Sequence, residues 1–403
     1  MTDAAAMTRD ALVDRLRTVL AEPIASVKAR ERSSLDALLA GAGNRVVLFG
    51  AGGLGRQTLG CLRSIGVDPV AFSDNNTKTW NTSVDGVAVL SPRDAAAQFG
   101  RDALFIVTIW NPYHWYVQTR EQLAALGCRC ITPPSPVYWR FPDTFLPFFA
   151  QDFPHKVYEQ REDVLTCAGA WSDHRSREEY LRQVLWRACG EWTFSPIDDP
   201  ADSDSYFLKN LFRLEPDEVF IDCGAFDGDT LRVYLSIQPK GFRRFVALEP
   251  DLATFGKLRD YVESLSPTIG RNVETIQCAV GRERGRISFD STGGLGSKVS
   301  STGASAVDLV PISDLVERSA PATFIKMDIE GAEMDALEGA RAVIERDRPI
   351  LAVCVYHLQN DVWRLPLFMK AMVPDYEMFL RCHEGDGWQT VAYAVPPSRR
   401  IGA

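Results

Sequence analysis

The sequence contains two series of short apolar runs that alternate with helix-like segments, and each series opens on a run that ends in a glycine-rich turn. The first series starts at residues 45–50 (RVVLFG) and the second at residues 219–222 (VFID). Alternating strands and helices form parallel sheets, whose ligands bind at the carboxyl ends of the strands. The pattern therefore predicts an α/β chain with two Rossmann-like units.

The later runs complete each series. In the first series we expect further strands at residues 70–74, 88–90 and 103–108. In the second series we expect them at residues 245–249, 273–277, 324–328 and 350–355. Two closing runs, 377–382 and 389–395, flank the turn Glu-Gly-Asp-Gly and predict an antiparallel hairpin. We therefore expect N-terminal helices over 1–43, a nucleotide-binding domain over 44–132, a proline- and aromatic-rich helical connector over 133–205 and a second α/β domain over 206–403.

Composition excludes several classes of function. The chain has 403 residues, 46% of them hydrophobic, and its net charge of -9 argues against nucleic acid as a partner. No apolar stretch reaches the ~18 residues that a membrane span needs. The nine cysteines form no CxxC pair and the N-terminus carries charges where a signal peptide is apolar, so we expect a cytoplasmic protein with no metal.

The acidic stretch 198–205 lacks the glycine and the closing Glu of a calcium loop and predicts a solvated loop.

The first glycine-rich turn satisfies the GxGxxG pattern through Gly50, Gly52 and Gly55. Asp74 ends the next predicted strand, 19 residues after Gly55, where a ribose-binding carboxylate is expected. This spacing predicts a nucleotide ligand in the N-terminal domain. The alternative is that the glycines only let the helix pack on the strand. Hydride chemistry would need a catalytic partner, and the one nearby candidate, His114, stands among aromatic residues where a structural role is commoner.

The second turn has the form DxGxxxG, without a phosphate-binding Lys. In this turn Asp222 can receive a cationic amino group and Gly224 allows close backbone approach, while Glu249 at the end of the next strand can bind two ribose hydroxyls. The chain at 277–279 ends the third strand, where an adenine would lie. Together these features fit S-adenosylmethionine better than a second dinucleotide. The predicted cofactor-binding residues are Asp222, Gly224, Ala225, Gly228, Asp229, Thr230, Glu249 and Ala279.

A charged element follows at residues 326–333 (KMDIEGAE). Lys326, Asp328, Glu330 and Glu333 cluster at the end of a predicted strand, where the ligand crevice lies. His357 follows the next strand and is a candidate general base. The alternatives are that Glu330 and Glu333 stabilise a helix N-terminus with Lys326 as counter-ion, and that His357 orients a loop.

Five motifs are similar to those of a known family: FIDCGAFDGDT (220–230), ALEPD (247–251), FIKMDIEGAE (324–333), VYH (355–357) and YEMFLRCHEGDGWQTVAYAVP (376–396). Residues from about 206 to 403 thereby resemble the FkbM family of S-adenosylmethionine-dependent methyltransferases. The resemblance implies a class I methyltransferase fold, a seven-stranded sheet with an antiparallel terminal hairpin, and usually transfer to a hydroxyl oxygen. It assigns Asp222, Gly224 and Gly228 to the methionine end, Glu249 to the ribose and Asp328 to the methyl group.

The sequence departs from this family in the closing hairpin. Such proteins often read LRH there, whereas this chain reads LRC with Cys382 at the third position. If that His acted in catalysis, His383 would have to replace it, and neighbouring positions on a strand point to opposite faces.

These observations give one functional hypothesis and two alternatives. The hypothesis is an O-methyltransferase with a small-molecule or carbohydrate acceptor: a sugar, a nucleotide-sugar or a secondary metabolite. Its expected catalytic residues are Asp328, His357, Lys326 and Glu330. Residues 44–130 resemble the small nucleotide-binding domains of some sugar-modifying enzymes, so a second nucleotide ligand is expected there. The alternatives are an NAD-dependent oxidoreductase that uses the N-terminal domain, and a non-catalytic nucleotide-binding scaffold.

Overall fold

A computed structural model describes residues 8–196, 204–290, 298–299, 305–316 and 320–401. Its strands form three sheets of six, four and seven strands. The strands are β1 Val46–Phe49, β2 Ala71–Ser73, β3 Ser83–Val84, β4 Val87–Leu90, β5 Leu104–Val107, β6 Cys130–Thr132, β7 Val219–Cys223, β8 Arg244–Leu248, β9 Val273–Ile276, β10 Ala279–Val280, β11 Gly285–Asp290, β12 Lys298–Val299, β13 Ser305–Val310, β14 Phe324–Met327, β15 Ile350–Cys354, β16 Glu377–Cys382 and β17 Thr390–Val395.

Helices connect these strands and cover the sheets. They are α1 Arg9–Val19, α2 Ile24–Gly41, α3 Gly53–Ser64, α4 Pro92–Phe99, α5 Tyr116–Ala125, α6 Ser135–Arg140, α7 Pro142–Phe145, α8 His155–Glu159, α9 Arg161–Ala168, α10 His174–Cys189, α11 Asp229–Ile237, α12 Leu252–Ser264, α13 Pro267–Gly270, α14 Glu333–Asp347 and α15 Asp361–Met372. Within the described ranges, none of them is long and apolar enough to cross a membrane. The acidic stretch predicted as a loop lies outside the described residues, apart from positions 204 and 205.

The first sheet has the strand order β3-β4-β2-β1-β5-β6, and all of its pairs are parallel except β3 with β4. The four strands predicted for this region are present. The structure adds β3 and β6, which are too short to show a period in the sequence. All four residues of β1 are buried, as expected for a central strand covered on both faces. The strand order reverses between β1 and β5, so the carboxyl ends of these two parallel strands border a crevice.

The second large sheet has the order β16-β17-β15-β14-β7-β8-β9. Strand β17 is antiparallel to both β15 and β16, whereas the other pairs are parallel. The predicted α/β class and antiparallel terminal hairpin are confirmed. Strands β14 and β7 are neighbours at the point where the strand order reverses, and their register sets Lys326 opposite Asp222. A ligand crevice is therefore expected at the ends of these two strands.

The turn between β16 and β17 docks on the loop that follows β5. The Gly385 N–H donates to the Pro112 carbonyl over 2.7 Å. The buried carboxylate of Asp386 accepts the Tyr116 N–H and lies 3.1 Å from His114 Nδ1. A Cβ on Gly385 would lie 2.0 Å from the His114 carbonyl oxygen, so only glycine fits. These contacts bring the carboxyl ends of the two large sheets together and give His114 a structural role.

Candidate functional site

A cavity of about 720 Å³ lies at the carboxyl ends of β7, β8 and β14. This volume is typical of small-molecule sites. One part of its wall comes from the ends of these strands and the helices after them. The other part comes from the loop after β5, the segment after α7 and the β16–β17 turn, which contribute Trp110, Phe149 and Trp388. Residues from both halves of the sequence thus enclose a single space.

The glycine-rich turn after β7 packs directly against the end of β14. Gly224 has φ +79°, and a Cβ there would lie 2.0 Å from the Asp328 carbonyl oxygen. Gly228 has φ +91°, and a Cβ there would lie 2.6 Å from the ring of Tyr261. Phe226 occupies the place of the middle glycine with φ +47° and lines the cavity. The two glycines of the predicted motif are therefore required by backbone geometry and close packing.

Asp222 and Lys326 form a buried ion pair beneath this turn. Their side chains are 0% and 3% exposed, the Nζ–Oδ1 distance is 3.1 Å, and Nζ donates to the Gly224 carbonyl over 2.6 Å. Burial raises the pKa of Asp222 to about 6, against the opposing effect of Lys326. Neither Asp222 oxygen accepts a well-aligned hydrogen bond from the described residues. Lys326 lines the cavity, whereas Asp222 lies behind it and holds Lys326 and the turn in place.

Glu249 lies at the end of β8 and lines the cavity. Its Oε2 accepts the Phe226 N–H over 3.0 Å and its Oε1 accepts the Asp251 N–H over 2.9 Å. Burial raises the pKa of Glu249 to about 7, although these two hydrogen bonds oppose the shift. Each carboxylate oxygen can accept a second hydrogen bond. The side chain is therefore held in a fixed orientation with one acceptor site left on each oxygen.

Four other predicted cofactor residues lie in or behind this part of the cavity wall. Asp229 and Ala279 line it. Thr230 is buried, and its N–H donates to the Asp229 carboxylate over 2.7 Å. Ala225 is also buried, and its N–H donates to the Leu248 carbonyl, which fixes the turn to the end of β8.

Asp328, just beyond β14, is the centre of a hydrogen-bond network. Its Oδ2 accepts the Tyr206 hydroxyl over 2.9 Å and its Oδ1 accepts the Tyr356 hydroxyl over 3.2 Å. His357 Nε2 lies 3.3 Å from Oδ1. Burial favours the neutral acid, but His357 and Lys326 hold the pKa of Asp328 well below its usual range. The side chain is therefore a carboxylate at neutral pH.

His357 lies behind Asp328 and is 1% exposed. Its Nδ1 is 2.8 Å from Glu333 Oε1, which also accepts the Ile329 N–H over 3.0 Å. Burial disfavours the imidazolium, but the carboxylates of Glu333 and Asp328 raise the pKa of His357 well above its ordinary value. A protonated imidazole cannot accept another proton. This electrostatic environment favours a positioning role for His357 over the predicted role of general base.

Glu330, a predicted catalytic residue, and His383, the possible replacement for a His at position 382, differ in their accessibility to a ligand. Glu330 lines the cavity in a left-handed turn, with φ +57°, and its Oε2 lies 3.9 Å from His357 Nε2. His383 bonds the Tyr393 hydroxyl over 2.7 Å and is not part of the cavity wall, so it does not take the place of the missing His at Cys382.

Sequence reasoning missed the two tyrosines that hold Asp328. Tyr356 stands directly before His357 in the VYH motif, and that adjacency was a usable signal. Tyr206 follows the acidic stretch, and no feature of the sequence pointed to it. The Tyr206 hydroxyl also accepts a hydrogen bond from Gln389, in the turn between β16 and β17. Three segments that are far apart in the sequence, at Tyr206, Tyr356 and Gln389, therefore converge on the Asp328 carboxylate.

The glycine-rich turn after β1 is largely explained by packing. A Cβ on Gly55 would lie 2.0 Å from the Gly50 carbonyl oxygen, and a Cβ on Gly50 would lie 2.6 Å from Ile109 Cγ1. Gly52 has no neighbour within 4 Å of its Cβ position. Asp74 accepts the Ala51 N–H over 2.8 Å, so it is beside the turn, as predicted, and bonded to it. The packing alternative thus accounts for Gly50 and Gly55, but not for Gly52.

Comparisons with known proteins match the second half of the chain in sequence and nearly the whole chain in fold. Residues 222–383 match the model of the methyltransferase FkbM domain. No curated protein sequence matches the chain. The crystal structure of a methyltransferase FkbM from Methylobacillus flagellatus KT aligns with a TM-score of 0.76 at 21% identity, covering 96% of this chain and 100% of that one. A precorrin-6y C5,15-methyltransferase from Geobacter metallireducens GS-15 aligns with a TM-score of 0.26 at 17% identity, over 46% of this chain and 83% of that one. The first match shows that the fold is shared over nearly the whole chain.

Proposed function

We propose that the protein is an S-adenosylmethionine-dependent O-methyltransferase, on the premise that its residues 222–383 match the model of the methyltransferase FkbM domain. The observation that carries the proposal is the arrangement of two carboxylates in one cavity. Glu249 presents one unused acceptor site on each oxygen, and Asp328 is a fixed carboxylate on the same wall. The first suits a ribose and the second suits an acceptor hydroxyl.

The residues present fit this cofactor. Glu249 would hold both ribose hydroxyls, and the close-packed turn at Gly224 leaves the backbone bare toward the methionine end. Ala279 is small enough to let an adenine lie against the end of β9. Asp229, which lines the cavity together with Gly224, would hold the cationic amino group, and Asp222 would act from behind by fixing Lys326 and the turn. When bound, S-adenosylmethionine supplies an electrophilic methyl group on a sulfonium.

Most of the chain's contribution to the reaction is positioning. Asp328 accepts the hydrogen bond of the acceptor hydroxyl and so aims the oxygen lone pair into the cavity. Tyr206 and Tyr356 fix the orientation of Asp328, and His357 keeps it ionised. As the new bond forms, Asp328 takes the hydroxyl proton in part. Lys326 neutralises Asp222 and holds the Gly224 carbonyl, which keeps the turn in its binding conformation.

The domain division belongs to the same proposal. The two large sheets support a nucleotide-binding domain over residues 44–132 and a methyltransferase domain over 206–403, joined by the connector 133–205. We also propose that the protein is located in the cytoplasm.

Calorimetry with S-adenosylmethionine tests the function directly. We expect binding by the wild-type protein and weaker binding by Glu249→Gln. Mass spectrometry of the purified protein is the independent check, because copurified S-adenosylhomocysteine supports a methyltransferase and copurified NAD supports the oxidoreductase alternative. The proposal fails if the folded wild-type protein binds neither S-adenosylmethionine nor S-adenosylhomocysteine.

A further inference from the structure

The cavity has an aromatic wall formed by Trp110, Tyr113, Phe148, Phe149 and Trp388. Two of these are exposed, Tyr113 by 89% and Phe148 by 47%. Large exposed aromatic side chains beside a cavity are typical of binding sites, because a soluble protein otherwise buries them. The wall is therefore a candidate ligand surface rather than a part of the core.

Packing fixes four of the five rings in place, and Tyr113 stands at the exposed end of the wall. The ring of Trp110 lies 5.3 Å from that of Phe148, edge to face, and 5.1 Å from that of Trp388. Its indole N–H donates to the Asp386 carbonyl over 3.0 Å, so the ring cannot turn freely. Phe149 lies 4.8 Å from Trp388. Such edge-to-face and tilted contacts stabilise aromatic clusters and leave ring faces free for a ligand.

The wall begins next to the proposed methyl-transfer point. The ring of Phe149 stacks on that of Tyr356 at 6.3 Å with an interplanar angle of 13°, and the Tyr356 hydroxyl donates to Asp328. A molecule that lies on the wall therefore has one edge beside Asp328. The loop after β5 and the segment after α7 supply four of the five rings, which gives the N-terminal half of the chain a role in recognising the acceptor.

The charges around the cavity restrict that acceptor further. Six carboxylate side chains line it among the described residues: Asp229, Glu249, Asp251, Asp328, Glu330 and Glu384. Lys326 is the one basic side chain in this described lining, and Asp222 and the Gly224 carbonyl already hold its ammonium group. Burial and repulsion by Asp328 raise the pKa of Glu384. A phosphate would be repelled here, because neither an Arg nor a spare Lys in the described lining could pair with it.

We infer that the acceptor is an uncharged polyhydroxylated ring compound, a glycoside, which stacks on the aromatic wall and hydrogen-bonds to the carboxylates around it. The apolar C–H face of a pyranose suits an aromatic ring, and its hydroxyls donate to carboxylates such as Glu330 and Glu384. This inference rests on the proposed function and narrows it, since it excludes nucleotide-sugars and other phosphorylated acceptors.

Saturation-transfer NMR on the full chain with bound S-adenosylhomocysteine tests this inference. The probes are the methyl glycosides of glucose, galactose, mannose and rhamnose, compared with the matching sugar 1-phosphates and UDP-glucose. We expect transfer to at least one methyl glycoside and none to the phosphorylated probes. In Tyr113→Ala and Phe148→Ala the glycoside affinity should fall about tenfold, or about 1.4 kcal/mol, which is near the upper value for one aromatic contact.

Control variants separate the possible outcomes. Tyr113→Phe keeps the ring and should bind as the wild type does, and Val70→Ala removes a side chain of similar exposure to Phe148 outside the cavity and should have no effect. Because Tyr113 and Phe148 are exposed, the alanine variants should fold normally. The inference is overturned if phosphorylated probes bind as well as glycosides, if no methyl glycoside binds, or if the alanine variants match the wild type. Failure of S-adenosylhomocysteine itself to bind would instead refute the proposed function.

Discussion

Protonation of Glu249 should control cofactor affinity in the neutral pH range. Burial raises the pKa of this group to about 7 in the free protein, with Asp251 and Lys326 as its charged neighbours. Both of its oxygens already accept a backbone N–H, so the ribose hydroxyls need the remaining acceptor sites. A proton would occupy one of these sites. The ionised form should therefore bind, and affinity should decrease as the pH falls.

The size of the effect follows from linkage. With a pKa of about 7, Glu249 is protonated in about nine-tenths of molecules at about pH 6 and in about one-tenth at about pH 8. If the complex requires the carboxylate, binding releases about 0.9 proton at about pH 6 and about 0.1 proton at about pH 8. The dissociation constant should then be about tenfold larger at the lower pH, or about 1.4 kcal/mol.

Calorimetry in buffers of different ionisation enthalpy measures the released protons directly. S-adenosylhomocysteine is the better ligand for this purpose, because its amino group has no neighbouring sulfonium charge and stays protonated over the range. Glu249→Gln cannot titrate and should bind weakly with a flat pH profile. The reasoning is refuted if the wild type binds equally at both pH values without proton release, or if the Gln variant keeps the wild-type pH dependence.

Four further substitutions test the roles of other residues. Asp328→Asn should lower turnover at least about a hundredfold while S-adenosylhomocysteine affinity is unchanged, because a general base contributes at least that much; a parallel loss of binding would contradict the assignment. Replacing the His357 imidazolium by His357→Gln should raise the pKa of Asp328 toward its usual range, so kcat measured with saturating S-adenosylmethionine, where Glu249 no longer limits binding, should start to fall at a higher pH than in the wild type; an unmoved kcat profile would show that His357 acts only in packing. Asp222→Asn should lower the free energy of unfolding, measured with urea, by about 3–5 kcal/mol because Lys326 is left buried without its partner. An unchanged unfolding midpoint would mean that Asp328 alone is enough to neutralise Lys326. Gly224→Ala should abolish cofactor binding through its clash with the Asp328 carbonyl, whereas the matched Gly60→Ala, in an open helical position, should stabilise the chain by about 1 kcal/mol.

The sequence allowed the strand ends to be predicted, because glycines and carboxylates there interrupt apolar runs. Asp222, Glu249 and Asp328 could be assigned to a common crevice for this reason. The partner of Asp222 could not, because only the register between β14 and β7 shows that Lys326 lies beside it. Tyr206 and the aromatic wall come from segments far apart in the chain, whose convergence has no periodic signal. The charge of His357 depends on its contacts with both Glu333 and Asp328, so it could not be predicted before the positions of these side chains were known.

The docking of the β16–β17 turn on the loop after β5 has a consequence for biosynthesis. Trp110 and Trp388 belong to one wall, yet nearly three hundred residues separate them, and the Asp386 carbonyl that anchors Trp110 lies in the final hairpin. Domains begin to fold during synthesis, from the N-terminus onward. The first sheet can form early on the ribosome, and Trp110 meets Phe148 and Phe149 soon afterwards, but it gains Trp388 and the Asp386 carbonyl only when the last strands emerge. The nascent chain would therefore present an unfinished apolar surface for most of its translation.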